Sequence, residues 1–281
     1  MSAISIKKGP IQLAGLLHKP ATSSSSKFPA IVIVHPGGGV KEQTAGLYAK
    51  KLAQEGFVTV SYDASHQGES GGEPHFLEDP AARVSDVWSV VDYLEQQEDV
   101  DASKIGILGI CAGGGYAVAA AKADYRWYGD EPASKHVESL KIAAQQISAE
   151  NQGAEMAAAP YVPPQPDDKT PADLREAHNY YLTPRAQHPR AENKMLIRSF
   201  PRVLNFDAFH LADVFLTQPT LLIAGEKAGS LWHTENLDKK IGGATKKVIV
   251  PNAAHMDFYD NEQYVNPAVK DISEFMKANL S

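Results

Sequence analysis

The stretch KIGILGICAGGGYAVAAAKA, Lys104 to Ala123, constrains the fold more than any other. An apolar run stops at Gly109, one cysteine follows, and Gly113, Gly114 and Gly115 open an alanine-rich segment. The run has the β-branched, turn-bounded character of a buried strand, and the alanine-rich part that of a packed helix. The chain must therefore pass from strand to helix through a corner of one or two residues, with Cys111 at its tip. Such a turn is sharp and strained, and small residues two before and two after the tip let strand and helix approach.

The sequence around it repeats the same grammar. ISIKKG and IQLAGLLHKP read as a short antiparallel pair, then FPAIVIVHP and FVTVSYD as buried strands. TAGLYAKKLAQEG has helical spacing and ends at Gly56, a C-cap. DPAARVSDVWSVVDYLEQQ begins with the cap and first-turn pair Asp79-Pro80 and sets Val84, Val87, Val91 and Leu94 on one face. Near the C-terminus, QPTLLIAG, SLWHTENLDKKIG, KKVIVPNAAH and NPAVKDISEFMKANL read as strand, helix, strand, helix. Fully apolar strands alternating with helices imply a mostly parallel sheet covered on both faces. Residues 124–216 break the pattern. YVPPQPDDKTP is a proline-rich loop, and ADLREAHNYYL and DAFHLADVFL read as helices. The expected organisation is an α/β core of 1–123 and 217–281 with a helical lid inserted at 124–216.

Composition excludes several classes. A net charge of −7 with no basic stripe argues against nucleic-acid binding. No segment is apolar enough to cross a bilayer, MSAISIKKGP lacks a secretory h-region, and KANLS is no address signal. One cysteine forms neither an internal disulfide nor a cysteine zinc cluster. No metal and no cofactor are expected, and the chain reads as cytoplasmic, a monomer or a homodimer.

Gly109-Ile-Cys-Ala-Gly113 fits the G-x-S-x-G nucleophile corner with cysteine for serine. The helix beginning after Cys111 offers free N–H groups and a dipole that favour a thiolate and donate to an oxyanion. The competing reading is a small buried apolar cysteine. A dinucleotide cradle fails because GILGICAGGG does not give G-x-G-x-x-G in register. HPGGGVKEQ follows an early buried strand, where such enzymes place the second oxyanion donor, so Gly37 and Gly38 join the N–H of Ala112 as expected donors. A tight turn needing positive φ would also use those glycines. His255 in PNAAHMDFYD follows the last strand and is the expected base. The acid is less visible. In the loop GEKAGSLW, Ala228 and Gly229 stand where an aspartate is expected, which leaves Glu226 as the candidate, with Asp207 of NFDAFH the alternative and Asp63 more readily structural.

With these residues the chain resembles the α/β-hydrolase superfamily, nearest the dienelactone-hydrolase-like group, and within it the fungal polyketide transferases and trans-acting thioesterases. The matching stretches are HPGGGVKEQTAGLYAKKLAQEGF, YDASHQGESGGEP, DPAARVSDVWSVVDYL, GILGICAGGGYAV, YYLTPRAQHPRAEN, FDAFHLADVFLTQP and AAHMDFYD. The resemblance implies an acyl-transfer enzyme of secondary metabolism. Cys111 would take a polyketide chain from a synthase acyl-carrier domain, or another acyl thioester, and pass it to an alcohol, an internal hydroxyl or water. Aromatic residues Tyr180, Tyr181, Phe206, Phe209 and Phe215 would line the lid. A dienelactone-type ester or lactone hydrolase, with a short polar pocket and a positive residue near Cys111, is the alternative; a non-catalytic binding protein on the same scaffold is a third. Two departures stand out: the missing aspartate in GEKAGS, and AAKADYRWYGDEP, where relatives continue into another strand. A strand and its loop are expected to be absent near Arg126, unless Val137 to Ile147 supplies that strand.

Overall fold

A computed structural model describes residues 1–21, 27–121, 133–241 and 245–280. Its main sheet holds β1 (Ser2–Lys8), β2 (Ile11–His18), β3 (Phe28–Val34), β4 (Val58–Tyr62) and β5 (Val100–Gly109) in the order β1-β2-β4-β3-β5. β1 and β2 form the expected hairpin, β2 runs antiparallel to β4, and β3 runs parallel to both β4 and β5. Period-two alternation in β3 sorts the core into two layers. Ala30, Val32 and Val34 pack toward α2 (Pro80–Glu95) and α3 (Ala112–Ala121), whereas Ile31 and Ile33 pack toward α1 (Thr44–Gln54) and the C-terminal helix. All five side chains are fully buried. Burying each Val or Ile contributes about 2 kcal/mol, which fixes β3 at the sheet centre. The arrangement is the expected α/β-hydrolase core, a mixed sheet with helices on both sides.

Local chemistry sets the boundaries. Asp79 accepts from the N–H groups of Ala81 and Ala82, starting α2 at Pro80. Gly56, at φ 101°, turns the chain out of α1. Val84, Val87, Val90 and Leu94 are the buried face of α2, while Val91 is only partly buried.

After α3 the described chain resumes with α4 (Ala133–Glu150), β6 (Ala158–Ala159), α5 (Ala172–Tyr181), β7 (Met195–Leu196), α6 (Phe200–Leu204) and α7 (Ala212–Phe215). The alternative reading of Val137 to Ile147 as a strand is overturned, because this stretch is interior to α4. DAFHLADVFL forms only one helical turn, since Leu211 takes a left-handed conformation at φ 56° and Asp207 accepts from the Phe209 N–H in a local turn. β8 (Thr220–Gly225), α8 (Leu231–Ile241), β9 (Thr245–Val250), α9 (Asp257–Asp260) and α10 (Glu262–Asn279) close the chain. α10 starts before Asn266 because the Asn261 side chain caps Gln263, leaving Pro267 inside the helix.

β8 and β9 pair in parallel as a sheet of their own. Among the described residues no strand joins β5 to β8, and Ile105–Ile110 is only half-buried. The expected irregularity at Arg126 lies outside the described residues. Among those residues no helix is long and apolar enough to cross a membrane.

Candidate active site

The corner is built as its residue sizes dictate. Cys111 sits at φ 56°, a left-handed conformation that costs a non-glycine residue about 1–2 kcal/mol. Backbone bonds hold it there: Gly113 N–H to Ile110 O at 2.9 Å, Gly114 N–H to Cys111 O at 2.9 Å, and Ile110 N–H to Val34 O at 3.1 Å. A Cβ on Gly109 would lie 2.1 Å from the Gly113 oxygen, and one on Gly113 would lie 2.2 Å from the Val34 oxygen. Glycine at both positions is therefore obligatory. Among the described residues Cys111 is exposed.

His255 reaches this sulfur from the loop after β9. Cys111 hydrogen-bonds the His255 imidazole and the Tyr259 hydroxyl, and the Ala112 N–H points at the sulfur. Surrounding protein alone would push the thiol up, but His255, Tyr259 and the Ala112 N–H together hold it below the usual thiol range. Burial alone would push the imidazole down, and its contact with Cys111, then the carboxylates Asp173 and Glu176, raise it overall. The two shifts are those of a thiolate–imidazolium pair.

The other ring nitrogen meets a hydroxyl. Ser230 Oγ lies 2.8 Å from His255 Nδ1, and Tyr259 Oη lies 3.3 Å from Nε2. Glu226 is turned the other way: its Oε2 accepts from the Asn252 N–H at 2.9 Å and so braces the β9 loop. Asp207 closes its own turn on the Phe209 N–H. The group at His255 Nδ1, where an acid would stand, is the hydroxyl of Ser230. Asp63 is structural: buried, it accepts from Lys41 N–H, Lys41 Nζ and Glu69 N–H, pinning two loops.

The loop at His35–Gln43 starts against the corner, since a Cβ on Gly113 would also lie 2.8 Å from the His35 oxygen. Its base is rigid. Arg83 donates to His35 O at 2.7 Å, and the Ala64 N–H donates to His35 Nε2 at 3.1 Å. His35 Nδ1 lies 2.6 Å from Pro36 O. Burial and Arg83 hold His35 well below its ordinary value, so the ring is neutral and Nδ1 carries the proton. Gly37 and Gly38 are half-exposed, and Gly38 takes φ 68° under the Tyr161 ring, where a Cβ would lie 2.7 Å from Cδ2.

A buried carboxylate ties this region to the lid. Glu78 accepts from Tyr116 Oη at 2.8 Å and Tyr161 Oη at 2.7 Å, and faces Arg83 Nε at 3.7 Å. Nothing in the local sequence marked Glu78, Arg83 or Ser230. Tyr259 alone carried a signal, lying four residues after His255 in HMDFYD and so on the same side of a helical turn. Of the aromatic residues expected to line the lid, Tyr180 and Tyr181 pack with Met256 and Tyr259. Phe206 lies 5.9 Å from Tyr116, centroid to centroid. Phe209 packs on His233, and Phe215 is 58% exposed.

A profile described as "Dienelactone hydrolase family" matches residues 13–152. An uncharacterized protein of Escherichia coli, YcjY, is 40% identical over 96% of this chain and 95% of its own length. The chain belongs to the dienelactone hydrolase family. That match runs over 291 aligned residues, more than the 281 of the chain, so it opens gaps in this dienelactone hydrolase homologue. Its fold is shared with the α/β hydrolase GrgF of Penicillium, at a TM-score of 0.83, 20% identity, and coverage of 99% of this chain and 98% of GrgF. A shorter stretch is 33% identical to the thiohydrolase aneE of Aspergillus aculeatus, over 35% of this chain and 31% of that protein.

Proposed function

We propose that this dienelactone-hydrolase-like protein is a cysteine acyl hydrolase or acyltransferase acting on a thioester, with Cys111 as nucleophile and His255 as base. The observation that carries the reading is the thiol of Cys111, presented at φ 56° on a helix N-terminus and hydrogen-bonded to His255. Ion pairing makes the sulfur nucleophilic below the usual thiol range, and in this reading the Ala112 N–H with Gly37 or Gly38 holds the oxyanion. The thiolate attacks the acyl carbonyl, the bond from carbonyl carbon to the leaving sulfur breaks, and imidazolium returns its proton to that thiolate. Water or an alcohol then attacks the acyl-cysteine. His255 takes the incoming proton and Cys111 leaves as thiolate.

A cysteine acyl-enzyme is itself a thioester, so exchange with a thioester substrate is nearly isoenergetic and keeps the acyl group activated. The thiohydrolase similarity points to the same bond. An acyl chain delivered on a carrier, as in polyketide assembly, fits this chemistry. The family equally includes lactone-opening enzymes, but Arg83, the buried cation beneath the oxyanion loop, is engaged by Glu78 and the His35 carbonyl and is not offered to a substrate carboxylate. The test is intact-mass analysis after incubation with simple acyl thioesters and matched oxoesters. One acyl adduct per chain, formed faster from thioesters and absent from Cys111→Ala, is expected; an adduct that persists in Cys111→Ala overturns the assignment.

A further inference from the structure

We propose that the missing acid of the site is supplied by the lid: Asp173 and Glu176 on α5 carry the negative charge that steadies protonated His255, so that seating α5 over the His255 loop completes the catalytic set. The inference rests on Cys111 and His255 being the reactive pair, and it assigns two positioning residues, since neither carboxylate touches the sulfur.

A neutral hydroxyl orients an imidazole but brings no charge to balance it, and Ser230 is the group bonded to His255 Nδ1. The two carboxylates lie three residues apart on α5, hence on one helix face. That face packs on the loop in question, with Tyr180 and Tyr181 against Met256 and Tyr259. Asp173 Oδ2 accepts from the Gly229 N–H at 2.8 Å, one residue from Ser230. A Cβ at Gly229 would lie 2.6 Å from that oxygen, so glycine there is what lets the lid carboxylate reach the loop. Glu176 is bonded to the backbone of Met256, the neighbour of His255, while its other oxygen, Oε2, is buried with no hydrogen-bond partner. Burial, Asp173 and Asp257 push the Glu176 carboxyl up, and His255 is the cation that opposes them. The groups facing His255 are Cys111 from the corner, Ser230 from the loop after β8, Tyr259 from α9 and the two α5 carboxylates, with Asp257 behind Glu176 and Tyr181 behind Tyr259. Removing the lid charges makes imidazolium lose its proton before the thiol does, and the ion pair gives way to a neutral pair.

Because Cys111 is the single cysteine, its alkylation by iodoacetamide reads the thiolate without any substrate. The outcome stays readable even if no thioester acylates the protein. In full-length Asp173→Asn/Glu176→Gln the rate at about pH 7 is expected to fall about tenfold and to converge with wild type near about pH 9, where ordinary thiols ionise. Adding Ser230→Asp restores an acid to the loop and returns the neutral-pH rate to within about twofold of wild type, a rescue that a misfolded lid would not permit. An unchanged rate in the double variant overturns the proposal. So does a loss that is equal at every pH and is not restored by Ser230→Asp.

Discussion

The two sides of the site are held by different physics. The cysteine side is steric: Gly109 and Gly113 leave no room for a Cβ, and backbone hydrogen bonds within the corner and one to β3 hold Cys111 at φ 56°. All of this lies within one strand-to-helix corner and the strand beside it. The histidine side is assembled from three separate places in the chain: the loop after β8 (Ser230), the loop after β9 with α9 (His255, Tyr259) and lid helix α5 (Asp173, Glu176). Contacts within a corner tolerate no variation in residue size. An electrostatic partner can come from any element that reaches the imidazole.

This contrast predicts a descending series of effects. Cys111→Gly removes the nucleophile, and acylation falls by at least about 1,000-fold by mass spectrometry. It also relaxes the left-handed corner, so this variant is expected to be about 1 kcal/mol more stable to urea than Cys111→Ala. Equal stabilities would show that the corner stores no strain. Gly113→Ala drives a methyl into the Val34 carbonyl and destabilises by about 3 kcal/mol, lowering Tm by about 5 °C. A melting curve unchanged within about 2 °C would break the steric half of the comparison. On the electrostatic side, Ser230→Ala leaves the imidazole present but unoriented, and thioester acylation slows about tenfold with little change in Tm. Tyr259→Phe deletes a single hydroxyl from the sulfur and costs about threefold in alkylation rate at neutral pH. If Tyr259→Phe proved more damaging than Ser230→Ala, the phenol rather than the serine would be the main support of the pair.

The same contrast explains what could be read from residues alone. The corner, the oxyanion loop and His255 were legible because each follows an apolar run, and strand ends are marked by glycine and proline. The β-α alternation was legible in the purely apolar strands; in β3 those residues face two different helix layers. The acid was not legible, because a carboxylate on a loop can point to either side of it: the Glu226 oxygen serves the Asn252 N–H. Ser230 carried no signal, being a serine at a helix start, where capping is its ordinary use. Asp173 and Glu176 lie far from His255 in sequence, and only the docking of α5 brings them near. The Glu78–Arg83–Tyr116–Tyr161 network was invisible for the same reason, as its members come from four elements and meet only in the core.

The central claim is that Cys111 is held as a thiolate by His255, and its alkylation rate as a function of pH tests this most directly. Contact with His255 holds the Cys111 thiol below the usual thiol range and contact with Cys111 holds the imidazole above the usual imidazole range, so both shifts favour the charged pair. Alkylation is therefore expected to outrun that of free cysteine by about tenfold or more at about pH 6, falling away only as acid protonates the sulfur. A profile that superimposes on free cysteine, or one unaltered in His255→Ala, contradicts the account.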